Sequence, residues 1–246
     1  MKILVCVSKT PDTTARIAFK DSNTVFDSNG VQFIMNPYDE WYALVRAVEL
    51  VEAGGGSVTL INVGREDNDT ILRKGLAIGA DDAVRIDAEA DSAFFVASQI
   101  AAYAKEQSFD LVLLGKETID YNGSEVGSML AQLLDMPFVS HASDMQVSGS
   151  EATISREIEG GTEVLSAALP LVVSAAKGLA EQRIPNMKGI MGAKRKPLAV
   201  IPPVAVAGRT QTVAFSVPEA KGAVRMIDPD NMEELVRLLH EESKVI

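Results

Sequence analysis

The stretch "LVLLGKETIDYNGSEVGSMLAQLL", Leu111–Leu134, changes character twice. Its opening, Leu111–Gly115, has the unbroken apolar run of a strand buried on both faces. A loop of Gly, Asp, Asn and Ser follows, residue types that tolerate tight turns and cap helices. From Ser124 onward Val126, Met129, Leu130, Leu133 and Leu134 fall at helical spacing. Strand, loop and helix in that order form the unit of an open parallel sheet, and the loop lies where such sheets hold ligands.

Working outward, four further apolar runs read as buried strands: Ile3–Val7, Ser57–Val63, Ala83–Ile86 and Leu171–Ala176. Helical patterns alternate with them. Leu44, Ala47, Val48 and Val51 share one face of Tyr38–Ala53, and Ala93, Val96, Ala97, Ile100 and Ala104 do so within Ser92–Gln107. The expected fold is therefore α/β, a doubly wound, mainly parallel sheet. Between Asp144 and Ala168 the breaks "SGSE" and "EGGT" separate short segments, which predicts an antiparallel hairpin insertion or edge. The last third loses simple periodicity. Asp228 is expected to cap a terminal helix with Pro229 at its first position, and Leu235, Leu238 and Leu239 give that helix an apolar stripe. Pattern alone leaves open whether the stripe docks on its own core or on another chain.

The 246 residues, 47% hydrophobic and 23% charged, suffice for one large or two small folded domains. Cys6 is the single cysteine, and His141 and His240 are far apart, which excludes a disulfide framework and argues against Cys- or His-based metal sites. A net charge of −11 argues against a general nucleic-acid binder, with "KRK" at Lys194–Lys196 as the local exception. No apolar stretch has the length of a membrane span, and "MKILVCVSKTPD" reads as a strand rather than a signal peptide, so no membrane insertion and a cytoplasmic location are expected.

Three loops follow the carboxyl ends of expected neighbouring strands: "VSKTPD", "NVGRED" and "GKETIDYNGSEVG". Together with "MNPYDEWYAL" they can form one site at the edge where open sheets bind nucleotides. Neither a G-x-G-x-x-G nor a G-x-x-x-x-G-K-[ST] motif is present, so phosphate contacts would fall to loop amides, Ser124, Ser128 and the helix terminus. Pattern alone also leaves open a well-capped loop with no ligand. Asp120 and Glu125 could be named as an acid pair, but both stand in a turn and cap region where acids serve local bonds. Cys6, central in an apolar strand, reads as buried and inert.

The whole chain resembles the beta subunit of electron-transfer flavoproteins. The most specific match is "ISREIEGGTEVLSAALPLVVSA", Ile154–Ala175, which is similar to the family signature, with Ser174 where Thr, Ala or Cys is usual. "NPYDEW", "GLAIGADDA", "LVLLGKETID" and "IMGAKRKPL" are also similar, in the same order. The resemblance implies an adenine-nucleotide-binding, Rossmann-like domain over residues 1–200, with a recognition loop at 180–198. It implies a C-terminal arm, 201–246, packing on an alpha subunit that holds a redox-active FAD. The chain itself would be an electron carrier subunit and no enzyme. Electrons would pass from acyl-CoA dehydrogenases or similar flavoenzymes to a membrane quinone oxidoreductase, as in fatty acid oxidation.

Residue by residue, the resemblance implies that structural AMP is contacted by Cys6, Asn36, Pro37, Tyr38, Asp39 and Val63. The loop Gly115, Lys116, Glu117, Thr118, Ile119, Asp120, Tyr121, Asn122, Gly123, Ser124, Glu125 and Val126 would complete the site. Tyr38 would also lie near the partner's flavin ring. Met187 matches the apolar docking anchor, Lys194, Arg195 and Lys196 add steering charge, and Glu157 matches an acid that pairs with an alpha-subunit Arg during domain motion. Ser124, Glu125 and Val126 depart from the AMP-binding pattern. Val126 instead is similar to electron-bifurcating relatives, which hold a second FAD here. Two other classes share the architecture: a universal-stress-type nucleotide-binding regulator, whose glycine-rich motif is absent, and an adenylating enzyme, whose Ser-Gly-Gly loop is replaced by "SKTPD".

Overall fold

The structure, a computed structural model, describes every residue except Lys221. In chain order the elements are β1 (Lys2–Cys6), β2 (Lys9–Pro11), β3 (Phe19–Lys20), β4 (Val25–Phe26), β5 (Phe33–Met35), α1 (Asp39–Gly54), β6 (Ser57–Val63), α2 (Asp69–Ile78), β7 (Asp82–Ile86) and α3 (Ala93–Gln107). Then come β8 (Leu111–Gly115), α4 (Val126–Leu134), β9 (Phe138–Ser148), β10 (Glu151–Ile158), β11 (Gly161–Ala168), β12 (Leu171–Ala175), α5 (Met187–Ala193), β13 (Leu198–Ile201) and α6 (Met232–Glu241).

Nine strands form one sheet in the order β11-β10-β9-β12-β8-β1-β6-β7-β13. From β9 to β13 every neighbouring pair is parallel, and β10 pairs antiparallel with both β9 and β11. The chain runs outward from β1 through β6 to β7 and then returns to place β8 on the other side of β1. This reversal opens a crevice at the carboxyl ends of β1 and β8.

Side-chain alternation explains the two helical layers. Ile3, Val5, Leu111 and Leu113 pack with Leu44, Ala47 and Val48 of α1 and Leu72 and Leu76 of α2. Leu4, Cys6, Val112 and Leu114 face the other way, onto Ala97, Ile100 and Ala104 of α3 and Leu130 of α4. Both faces are covered, which is why these strands carry no polar alternation.

The central strands, the helices α1, α3 and α4 and the antiparallel edge follow the sequence reading. Four features differ. The helix α2 was not expected, because its short apolar face, Ile71, Leu72, Leu76 and Ile78, is interrupted by Gly75. β13 was lost in the aperiodic last third, since an edge strand is only half covered and needs no continuous apolar run. The excursion between β1 and α1 carries two small antiparallel pairs, β2 with β5 and β3 with β4. The cap of α6 is Asn231, whose Oδ1 accepts from Glu234 N at 3.3 Å, while Asp228 accepts from Asp230 N in the preceding turn.

The arm after β13 begins against its own chain. Gln99 on α3 exchanges two 2.8 Å bonds with the Val204 backbone, Arg209 lies over the Phe94 ring, and Phe215 stacks on Phe19 at 4.7 Å. Beyond that, Val217, Val224, Met226, Val245 and Ile246 are exposed. In α6 Leu238 is buried and Leu235 and Leu239 half-buried.

Candidate functional site: a nucleotide-sized cavity at the strand reversal

The crevice holds a cavity of about 420 Å³. Its deep wall is apolar, from Val63, Val96, Ile100 and Leu114, and its floor is the end of β1 at Cys6 and Val7. The loop from Gly115 to Val126 forms the opposite wall, contributing Lys116, Glu117, Thr118, Asp120, Tyr121, Gly123, Ser124 and Glu125. Two helices begin at its edge. Ser92 caps α3, accepting from Phe95 N at 3.2 Å, whereas α4 begins after Glu125 with no side-chain cap. The first amides of α4 therefore remain available to an anion, with the positive end of the helix behind them.

The loop reaches this position through left-handed backbone at Asn122 and Ser124, and through Asn36. Fully buried, Asn36 donates Nδ2 to Glu117 O at 3.0 Å and accepts Ile119 N on Oδ1 at 3.0 Å. It supports the wall from behind rather than lining the cavity. Lys116 and Glu117 pair at 3.0 Å, and Ser124 Oγ donates to Glu117. That bond to Lys116 holds the Glu117 carboxyl below its usual range, so the rim carries an ionised acid.

Sequence reading missed Glu40 and Ser8. The Glu40 carboxyl is buried on the cavity floor, accepts Ser8 N at 2.7 Å and also bonds the Ser8 hydroxyl. Burial pushes its pKa up to about 8, against the lowering effect of the Ser8 bonds and with Asp120 and Asp39 adding to the rise. At neutral pH it is mainly an uncharged acid. Burial, helped by the nearby Glu40, likewise holds the Cys6 thiol well above its ordinary range. The only prior signal for Glu40 was its place in "NPYDEW", because its partner Ser8 lies on a different element.

A second hollow of about 480 Å³ lies across the β8 loop and shares Lys116 and Glu117 with the first. Tyr38, Asp39, Ile119, His141, Glu157 and Lys177 line it. Tyr38 stands at φ 63° before α1, an uncommon conformation for a bulky residue, and its side chain is exposed. Glu157 is exposed there. Its neighbour Arg156 turns instead to Glu163 at 2.6 Å and Ser140 at 3.0 Å, leaving Glu157 without an ion pair among the described residues. Ser174 also finds its use here. Its hydroxyl accepts His141 N at 3.0 Å where the β9–β12 register shifts.

Thus the structure gathers Cys6, Val63 and most of the Gly115–Val126 loop around one cavity and places Tyr38, Asp39, Ile119 and Glu157 around another. Pro37 is half-buried in the turn between Asn36 and Tyr38. The docking candidates are remote from both, on a segment that includes α5. Met187 is 73% exposed, Lys194 and Arg195 are exposed, and Lys196 turns its ammonium inward to carbonyls of and just beyond α2. Among the described residues no helix is long and apolar enough to cross a membrane, and no cluster of three or more His, Cys, Asp and Glu residues is arranged to hold a metal ion.

Residues 23–206 match the family model of the electron transfer flavoprotein domain. The chain is 35% identical to the electron transfer flavoprotein subunit beta of Bacillus subtilis (strain 168), with all of both chains covered. It is 36% identical to that of Syntrophomonas wolfei over 91% of this chain and 88% of the relative, and 32% identical to that of Homo sapiens over 100% and 99%. By this family model and these relatives, the chain belongs to the electron transfer flavoprotein beta-subunit family.

Proposed function

We propose that this chain is the nucleotide-binding half of a heterodimeric electron carrier, working with an alpha subunit that holds the redox-active FAD. The heterodimer carries electrons from acyl-CoA dehydrogenases or related flavoenzymes to a membrane quinone oxidoreductase, and this subunit does no bond-making chemistry of its own. Its place is the cytoplasm. Residues 1–200 form the nucleotide-binding domain, and 201–246 the arm whose exposed apolar residues pack on the alpha subunit.

The cavity at the strand reversal carries this reading. Its residues fit an adenine mononucleotide: Val63, Val96, Ile100 and Leu114 offer a flat base an apolar slot, and the uncapped start of α4 offers a phosphate free amides. Neutral Glu40 keeps one negative charge off the floor. AMP so held is structural, filling the crevice and fixing the loop that Asn36 supports. A second FAD is the alternative, favoured by Val126 at the cavity wall in place of the residue usual with AMP. In either case the partner's FAD supplies the redox chemistry, with Tyr38 and Glu157 in the second hollow facing the alpha subunit.

Docking on the donor falls to the exposed apolar residues of the 180–198 loop, Met187 and its neighbour Ile184, 73% and 79% exposed. In the heterodimer, Met187→Ala, alone and combined with Ile184→Ala, is expected to slow reduction by an acyl-CoA dehydrogenase with flavin content unchanged. Unaltered reduction kinetics in both variants would contradict the docking assignment.

A further inference from the structure

The segment Ile184–Lys196 presents Ile184, Met187, Ile190 and Met191 to solvent, surrounded by exposed Lys188, Lys194 and Arg195. Positive charge is concentrated here in a chain of net charge −11. A seven-residue helix does not hold itself in water, since nucleation is costly and few bonds repay it. Yet α5 is tied at both ends.

The ties are reciprocal. Arg73 on α2 donates Nη1 to Ala193 O at 2.8 Å and Lys196 O at 2.7 Å, capping the carbonyl end of α5. In return Lys196 donates Nζ to Leu76 O at 3.0 Å and Ala80 O at 2.5 Å, capping the carbonyl end of α2. Each cation sits at the negative end of the other helix. Between them the backbones nearly touch: a Cβ on Gly189 would lie 2.4 Å from Ala77 O. At the leading end Asn186 caps α5 through Gly189 N at 2.8 Å, Trp41 Nε1 donates to Arg183 O at 3.1 Å, and Arg183 grips Glu52 with two 2.8 Å bonds.

We infer that the docking segment is a preformed knob, and that Arg73 and Lys196 are positioning residues that hold it for entry into an apolar, acid-rimmed pocket on the electron donor. The inference rests on the docking reading above. Lys196 thereby leaves the steering role to Lys188, Lys194 and Arg195. Holding the segment in its bound shape before contact spares the ordering cost at association.

The test uses the heterodimer, with steady-state kinetics of an acyl-CoA dehydrogenase at varied carrier concentration. Arg73→Gln and Lys196→Met are expected to raise KM about tenfold with kcat and FAD content unchanged. Lys196→Arg restores the wild-type KM, and hydrogen exchange over Ile184–Lys196 accelerates in the two disrupting variants only. Wild-type KM in Arg73→Gln and Lys196→Met, alongside a raised KM in Met187→Ala, would overturn the clamp and leave docking intact. An unchanged KM in Met187→Ala combined with Ile184→Ala would instead remove the docking reading and the clamp with it. A fall in kcat together with FAD loss would mean a merely structural role and also overturn the clamp.

Discussion

In the first turn of α1 the Glu40 side chain folds back to Ser8 and closes the cavity floor. A pKa of about 8, against an ordinary 4.5, corresponds to a preference of about 4–5 kcal/mol for the neutral acid. Because the folded state binds this proton more tightly than the unfolded one, the stabilisation is complete below about pH 4.5 and is lost as pH rises through about 8. Asp39, raised by burial to about 6, acts in the same direction at lower pH. Between about pH 5 and 8, then, the wild-type chain should lose stability by up to about 1.4 kcal/mol per pH unit more than Glu40→Gln, whose amide also keeps both contacts to Ser8. Thermal unfolding across that range measures it, and parallel pH profiles for the two chains would show that Glu40 is ionised in the fold. Such residues were not legible in the sequence. Apolar runs announce a strand by themselves, whereas Glu40 acquires its character from Ser8, thirty-two positions away, and Ser174 from the register shift beside His141.

At the scale of elements, the site exists because the end of β8 meets the start of α1. A Cβ on Gly115 would lie 2.8 Å from Glu40 Cγ and 3.1 Å from Glu40 N, so a larger residue fits only if the Glu40 side chain or the start of α1 shifts. Gly115→Ala is expected to cost about 1–3 kcal/mol of stability and to weaken nucleotide retention, since both cavity walls pass through this contact. Calorimetric unfolding and AMP release by the purified protein report the two effects; wild-type retention would mean that the contact does not shape the cavity. Strands buried on both faces and long amphipathic helices were readable, because burial imposes its period on their residues. β13, only half covered at the sheet edge, and α2, with Gly75 inside its short apolar face, carried weaker patterns. Of the site, the loop Gly115–Val126 was legible as a strand-to-helix junction at a ligand-binding edge. Its division between two cavities was not, since that depends on which side of β8 each residue faces.

At the scale of the whole molecule, three surfaces stand out around one sheet. The cavity lies at the strand reversal, the hollow with Tyr38 and Glu157 lies across the β8 loop, and the basic, apolar segment Ile184–Lys196 stands on α2. The arm runs over α3, reaches Phe19 and then exposes Val217, Val224 and Met226. On the proposed reading, the alpha subunit covers the hollow and the arm while the basic segment stays free for the donor. The cavity is the most telling of the three, because its occupant separates a simple carrier from a bifurcating one. The direct measurement is to co-purify this chain with its alpha subunit, denature the complex and identify the released ligands by chromatography. One FAD and one AMP per heterodimer are expected; two FAD, or a flavin spectrum from this subunit purified alone, would contradict the simple carrier.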